Sequence, residues 1–212
     1  TVLLIGDRNR LCREVTAHIG TEEGGYITRV GDDNVLENGC HVAHDCYVDD
    51  KTVLGRQVLL AGHIRVQSGA VIGDQAGLHH FTTIGRYAKV SPQTPVRRDV
   101  PPYTHFLSRF GDEVPSVRGI HDEGIAAAKL SHEAERDLRR ALQDLFYDEI
   151  ALQTKIEHLV SMGVEGEVAA LCEFCQQSLH GVYGRYRELF RGRMPPEAEG
   201  LLDRNGYPKM LK

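Results

Sequence analysis

A six-residue hydrophobic repeat runs through residues 30–100. Every sixth residue is Val, Leu or Ile, at positions Val30, Leu36, Val42, Val48, Leu54, Leu60, Val66, Ile72, Leu78, Ile84, Val90 and Val96. Four residues after each of these the chain mostly carries a small side chain. Neither a helix, with a period of about 3.6, nor a strand, with a period of about 2, sustains an exact six. The repeat predicts a parallel β-helix in which three hexapeptides form one coil and residues eighteen apart stack.

The repeat also predicts how the β-helix begins and ends. Residues 1–17 continue it, with Ile5 and Leu11 at aliphatic positions, so the chain starts inside the β-helix. A β-helix end needs a cover, and we expect earlier coils or another element to provide one. The polar, glycine-rich residues 20–25 predict a loop between coils, of the kind that often overhangs a site. Pro101 and Pro102 end the repeat because proline cannot donate to a further ladder.

The second half of the chain has helical patterning. Leu138, Ala141, Leu142 and Leu145 form one apolar stripe, preceded by a candidate N-cap at Ser131. Two more helices are expected at residues 150–162 and 165–190. The expected organisation is a β-helix at 1–103, an extended connection at 104–130, an α-helical domain at 131–191 and a tail at 192–212.

Composition excludes several functional classes. The chain has 212 residues, of which 41% are hydrophobic and 26% charged, and its net charge of −5 argues against nucleic-acid binding. No apolar run approaches the roughly 20 residues of a membrane span, and no secretory signal opens the chain. Cys40 and Cys46 occupy small-residue positions of the repeat, which indicates reduced core thiols and a cytoplasmic protein. Cys172 and Cys175 form a CxxC on a helical pattern, which predicts core packing rather than a metal site.

Four histidines map to one edge of the predicted prism. When positions are reduced by eighteen, His41, His44, His63 and His79 fall within the window 41–45. Such a cluster indicates a site, although exposed polar residues at a corner would give the same pattern. Asp45 follows His44 and could orient its imidazole, which is suited to removing a hydroxyl proton.

Two further features bear on the chemistry. Gly62, beside His63, leaves its amide open to a developing oxyanion. The chain has no GxSxG, P-loop or GxGxxG motif, so we expect no covalent serine route and no cofactor. A histidine ladder could also bind zinc, as in the gamma-class carbonic anhydrases. The HxxH of His41 and His44 is a weak metal signal, and we expect no metal.

Several segments together resemble one known family. They are residues 5–10 (IGDRNR), 41–46 (HVAHDC), 60–63 (LAGH), 77–81 (GLHHF) and 99–103 (DVPPY). In order and spacing they resemble the UDP-N-acetylglucosamine acyltransferases of lipid A biosynthesis. The resemblance implies a left-handed β-helix with a helical C-terminal domain, a homotrimer with clefts between subunits, and more coils before the point where this chain begins.

The resemblance also implies an activity and a site. Members of the family transfer an acyl group, usually (R)-3-hydroxyacyl, from acyl carrier protein to the 3-hydroxyl of UDP-N-acetylglucosamine, the first step of lipid A biosynthesis. By motif match, His44 is the expected general base, Asp45 orients it, and the Gly62 amide is the oxyanion donor. The expected substrate contacts are His41, His63, His79 and His80.

Four residues depart from the family pattern. His80 replaces a glutamine, Pro92 replaces a glycine near the end of the acyl groove, and the pair Asp122 and Glu123 stands near an expected basic pair. Two acids there would repel a pyrophosphate. The alternatives are therefore an acyltransferase with a different acceptor, or a non-catalytic trimeric relative that binds a carrier protein or sugar nucleotide.

An acidic carrier protein requires a basic landing surface. Two groups of basic residues are candidates, although solvated surface charge would look the same. The candidates are Arg86, Lys89, Arg97 and Arg98 late in the β-helix, and Arg185, Arg187, Arg191 and Arg193 towards the C-terminus.

Overall fold

The computed structural model of the protein describes residues 1–107, 116–147, 150–199 and 201. It contains a left-handed parallel β-helix followed by a helical C-terminal part, as the repeat and the resemblance predicted. The coil strands are β1 (Val2–Ile5), β2 (Arg10–Leu11), β3 (Thr16–Ala17), β4 (Ile27–Val30), β5 (Val35–Leu36), β6 (His41–Val42), β7 (Tyr47–Val48), β8 (Val53–Leu54), β9 (Leu59–Leu60), β10 (Arg65–Val66), β11 (Val71–Ile72), β12 (Gly77–Leu78), β13 (Thr83–Ile84), β14 (Lys89–Val90) and β15 (Pro95–Val96).

These strands form the three faces of the prism. The first face is β1-β4-β7-β10-β13, the second contains β2-β5-β8-β11-β14, and the third is β3-β6-β9-β12-β15. Tyr47 pairs with Arg65 and Arg65 with Thr83, which confirms that residues eighteen apart stack. Val2 pairs instead with Ile27, because residues 20–25 lengthen the first coil by a loop.

The aliphatic positions of the repeat fill the prism. Leu36, Leu54 and Ile72 are fully buried in one column, whereas Ile5 and Leu11 in the first coil are about half exposed. Inward-facing side chains in successive coils therefore form a single continuous core. The predicted core thiols are confirmed as buried, and burial raises the pKa of Cys40 to about 11 and of Cys46 to about 12.

The C-terminal part begins with an antiparallel strand pair and continues as helices. Its elements are β16 (Thr104–Leu107), β17 (Ser116–Ile120), α1 (Asp122–Ala128), α2 (His132–Phe146), α3 (Leu152–Ser161), α4 (Gly166–His180), a 3-10 helix (Tyr186–Phe190) and α5 (Pro196–Glu199). Ser131 caps α2 by accepting a hydrogen bond from the Ala134 amide, as predicted. Cys172 and Cys175 are buried in the core of the helices, which confirms their packing role. None of the helices described here has the length and apolar character needed to cross a membrane.

The structure differs from the sequence expectations in three segments. The third long helix ends at His180 rather than near 190, because Gly181 adopts an extended backbone conformation. Within the expected connection at 104–130, β16 and β17 pair and α1 follows with Ile125 buried, so the described residues of this segment are not simply extended. Within the expected tail, α5 forms and Ala198 is fully buried. Residues 202–212 lie outside the described part of the chain.

Candidate functional site

One corner of the prism carries the clustered histidines. The eighteen-residue register places His44, Gly62 and His80 at equivalent turn positions in three successive coils. At the next turn position, Asp45 and His63 are equivalent residues in neighbouring coils. Both have a left-handed backbone, with φ of +60° and +63°. The register therefore brings together side chains from separate repeats, as the sequence predicted.

Asp45 is the most constrained residue of the corner. Its side chain is fully buried, and its carboxylate accepts hydrogen bonds from the Thr21 amide (2.7 Å), the Thr21 hydroxyl (2.6 Å) and His44 Nδ1 (2.7 Å). Its own amide donates to Thr28 Oγ1 at 2.7 Å. Buried charge is tolerated when it is hydrogen-bonded in this way.

The loop at residues 20–25, called the clamp loop below, closes over this carboxylate. Thr21 supplies two of the donors, and Gly24 packs on the carboxyl group. A Cβ at Gly24 would lie 2.0 Å from Asp45 Cγ, so only glycine allows this approach. The inserted loop therefore overhangs the site, as its sequence indicated.

His44 lies between Asp45 and the next coil. Because Nδ1 donates to Asp45, Nε2 is the nitrogen left to act on a ligand. The ring sits directly on Gly62, where an added Cβ would be 2.6 Å from Cε1 and 2.8 Å from Nε2. The His44 side chain is 42% exposed, whereas Gly62 is buried beneath the ring, so Nε2 and the Gly62 backbone lie side by side at this turn.

His63 is held beside this pair in a neutral state. Its ring stacks on Phe81 with centroids 4.4 Å apart and meets the His44 ring edge-on at 5.2 Å. Its Nε2 is 3.8 Å from Asp45 Oδ2. Burial lowers the pKa of His63 to about 4, although Asp45 opposes the shift. The residue is thus an uncharged polar surface at neutral pH.

The other predicted histidines form neighbouring pairs. His41 Nδ1 lies 2.8 Å from Thr16 Oγ1, and its ring meets that of His18 edge-on at 4.8 Å. The rings of His79 and His80 are 3.9 Å apart, and His80 also contacts Phe81. Burial lowers the pKa of His41 and of His80. The structure therefore brings His44 into contact with Asp45, Gly62 and His63, whereas His41 pairs with His18 and His79 pairs with His80.

The hydrogen-bond pattern favours a base over a metal site. Within the described ranges, His44, Asp45 and His63 are a group whose donor atoms lie within 4.8 Å of one another. Three hydrogen bonds already engage the Asp45 oxygens, two of them from Thr21. A metal bound by this carboxylate would compete with these donors, whereas the bond from His44 Nδ1 is the one that orients a general base.

Several contacting residues were not identified from the sequence. Thr21, Gly24 and Phe81 shape the corner, and Arg187 donates from Nε to the His63 carbonyl at 2.9 Å. Thr21 lies in the glycine-rich loop that the sequence predicts, but no motif indicates its role. Arg187 comes from the 3-10 helix, more than a hundred residues away, and no sequence signal linked it to His63.

Two expectations about charge change with the structure. Arg185 and Arg187 are buried, so they were wrongly placed on a landing surface for a carrier protein. Arg97 and Arg98 are exposed. Asp122, expected to repel a pyrophosphate, is paired with Arg139, which offsets its charge.

Comparisons with known proteins agree with this fold. A family model described as UDP-N-acetylglucosamine O-acyltransferase, domain 2, matches residues 99–183. The UDP-N-acetylglucosamine acyltransferase from Campylobacter jejuni is 26% identical over 82% of this chain and 67% of its own, with a TM-score of 0.74. The UDP-N-acetylglucosamine O-acyltransferase from Moraxella catarrhalis is 30% identical over 82% of this chain and 66% of its own, with a TM-score of 0.73. The UDP-N-acetylglucosamine acyltransferase from Francisella novicida is 24% identical over 99% of this chain and 72% of its own, with a TM-score of 0.74. This similarity supports the fold alone.

The lowered pKa of His63 predicts an acid-dependent loss of stability. An unfolded histidine has a pKa of 6.5 and the folded one about 4, so the unfolded state binds more protons between these values. The free energy of unfolding should therefore rise with pH across this window. The contribution of His63 is complete above the window and is lost as the solution is acidified through it. In His63→Gln this contribution is missing, and the loss between pH 7 and pH 5 should be smaller.

Urea unfolding of both proteins at several pH values and one protein concentration measures this difference. Asp99 acts in the opposite direction, because burial raises its pKa to about 7, but it is common to both proteins and cancels. Equal pH dependence in the two proteins would contradict a partly buried, neutral His63.

Proposed function

The chain belongs to the UDP-N-acetylglucosamine O-acyltransferase family, and we propose that it transfers an acyl chain from acyl carrier protein to the 3-hydroxyl of UDP-N-acetylglucosamine. The expected chain is (R)-3-hydroxyacyl and the expected pathway is lipid A biosynthesis, carried out in the cytoplasm. The observation that carries this proposal is the His44–Asp45 hydrogen bond over Gly62.

The proposed chemistry is general-base catalysis at His44. Nε2 accepts the proton of the acceptor hydroxyl while its oxygen attacks the thioester carbonyl. The Asp45 carboxylate, bonded to Nδ1, stabilises the imidazolium that forms. When the tetrahedral intermediate collapses, the carbon–sulfur bond breaks and the imidazolium returns its proton to the leaving thiolate. The ester and the free carrier thiol are the products.

The Gly62 amide is the proposed oxyanion donor. The absence of a side chain lets the His44 ring rest on Gly62, so the base and this backbone segment are adjacent. Negative charge develops on the carbonyl oxygen close to the base, so a hydrogen-bond donor next to the base can stabilise it. This supports a shared reaction centre for the two residues.

Substrate binding is proposed to involve the remaining histidines and a second subunit. His63, His79 and His80 continue the corner from Gly62, and His41 lies on the adjoining face. Leu59 pairs in register with His41 and is 55% exposed, so this face presents an apolar side chain next to the site. A homotrimer that covers Leu59 would create a cleft containing His41. For the carrier protein, the exposed Arg97 and Arg98 are the proposed landing residues.

A second candidate is the same chemistry on a different acceptor. The first turn of α1 carries Asp122 and Glu123, and Glu123 is exposed. Because Arg139 offsets the charge of Asp122, Glu123 is the acidic group there that suits an acceptor with less negative charge than a nucleoside diphosphate sugar. This alternative leaves the roles of His44 and Asp45 unchanged.

Incubation of the protein with 3-hydroxyacyl carrier protein and UDP-N-acetylglucosamine should yield the acylated sugar nucleotide, detected by mass spectrometry. His44→Ala should reduce turnover by about 10²-fold to 10⁴-fold, the usual contribution of a general base. Equal product from His44→Ala would contradict the mechanism. No product from a folded wild-type protein, with product from another amino-sugar acceptor, would favour the second candidate.

Gly62→Ala should lower kcat by about 10²-fold, because the new methyl group would displace the edge of the His44 ring that carries Nε2. Gly77→Ala is the matched control, since a Cβ there meets nothing within 4 Å. Steady-state kinetics of the two variants makes the comparison. Similar kcat values for both would argue against a shared centre at Gly62 and His44.

A further inference from the structure

The C-terminal strap, defined as residues 185–199, runs along the β-helix beside the site. At its start the Tyr186 amide donates to Asp99 Oδ2 at 2.9 Å, and Arg185 Nη1 donates to the Arg97 carbonyl at 2.9 Å. Asp99 and Arg185 are both buried. These contacts anchor one end of the strap on the last coil.

The middle of the strap reaches the turn that holds His63. Arg187 is only 4% exposed, and its Nε donates to the His63 carbonyl at 2.9 Å. Its guanidinium lies over the Tyr47 ring at 5.5 Å, in the coil that carries His44. Arg191, further along the strap, lies over the Phe81 ring at 4.6 Å. The strap thus contacts the residues on which the His63 ring depends.

The far end of the strap packs on the clamp loop. A Cβ placed on Gly25 would be 3.0 Å from Ala198 Cβ, 3.3 Å from Pro195 Cδ and 3.4 Å from Met194 Cγ. Ala198 is fully buried and packs with Ile27, the first residue of β4, and with Tyr47. The strap is therefore closely packed against Gly25.

These contacts form a short chain from the strap to the base. Ala198 presses on Gly25, and four residues earlier in the same loop Thr21 donates twice to Asp45. Asp45 in turn holds His44 Nδ1 at 2.7 Å. The clamp loop is rich in glycine, so its own backbone preferences fix it only weakly. Packing from outside is what can keep Thr21 on the carboxylate.

We propose that the strap is a positioning element for the acyl-transfer site, in which Ala198 holds the clamp loop on Asp45 and Arg187 holds the His63 turn, so that His44 keeps the tautomer with hydrogen on Nδ1. The role in turnover rests on the proposed function, whereas the effect on the His44 tautomer does not. Ala198 and Arg187 are positioning residues that act through Thr21, Asp45 and His63.

The test enlarges Ala198 by two methyl groups. Ala198→Val should push the clamp loop off Asp45, and the milder Ala198→Gly should loosen it. Ala141→Val is the matched control, because Ala141 is an equally buried alanine in α2, within the separate core of the helices. Both valine variants overpack a core and should lower Tm, so stability alone does not separate them.

The first readout is the 15N NMR signature of His44 in the protein without substrate, assigned with His44→Gln. The wild type and Ala141→Val should show hydrogen on Nδ1. Ala198→Val, and Ala198→Gly to a smaller extent, should show a mixture of tautomers. An unchanged His44 signature in folded Ala198→Val and Ala198→Gly would overturn the proposal, whether or not the protein turns over the expected substrates.

The second readout is turnover with the acyl donor and acceptor. Ala198→Val should lower kcat by about 10-fold to 100-fold, as expected for a misplaced base, with KM within about twofold of wild type. In a Thr21→Val background the same change should have a smaller further effect, because valine has already removed the hydroxyl hydrogen bond to Asp45 and only the amide hydrogen bond remains to be lost. Full additivity of the two changes would overturn the route through the clamp loop.

Discussion

The buried carboxylate of Asp45 is the group on which the rest of the site depends. An isolated charge in such a position would cost several kcal/mol, so its three hydrogen bonds are a condition of the fold as well as of the chemistry. Two come from the clamp loop and one from His44. The same contacts that stabilise the charge therefore set the direction of the imidazole and leave Nε2 for the substrate.

The β-helix makes this arrangement possible because its ladders allow little relative movement of the coils. Each coil offers the same turn position, so His44 and Gly62 become neighbours although eighteen residues separate them. Asp45 and His63 repeat one left-handed turn conformation. A repeat that builds a core thus also builds a row of functional positions, in which the residue type at each level is free to vary.

Periodicity determined how much of the fold and of the site could be predicted from the sequence. The exact six-residue repeat was sufficient for the prism, its register and the histidine corner. Contacts made by aperiodic segments were not predictable, because Thr21 and Arg187 reach the corner from an inserted loop and from the strap, 24 and 124 residues from their partners. Arginines near the C-terminus looked like surface charge, and only the packing of the strap buries two of them. Gly181 similarly ended a helix whose apolar pattern continues.

The central claim is that Asp45 orients His44 as the base, and Asp45→Asn tests it most directly. Asparagine keeps the shape of the side chain, but its amide group can donate to Nδ1 and so move the histidine hydrogen to Nε2, where it blocks proton uptake. The measurement is kcat for acyl transfer by a variant whose fold is verified by circular dichroism. The account predicts a loss of about 10²-fold to 10⁴-fold with little change in KM. A kcat within about threefold of wild type would contradict it.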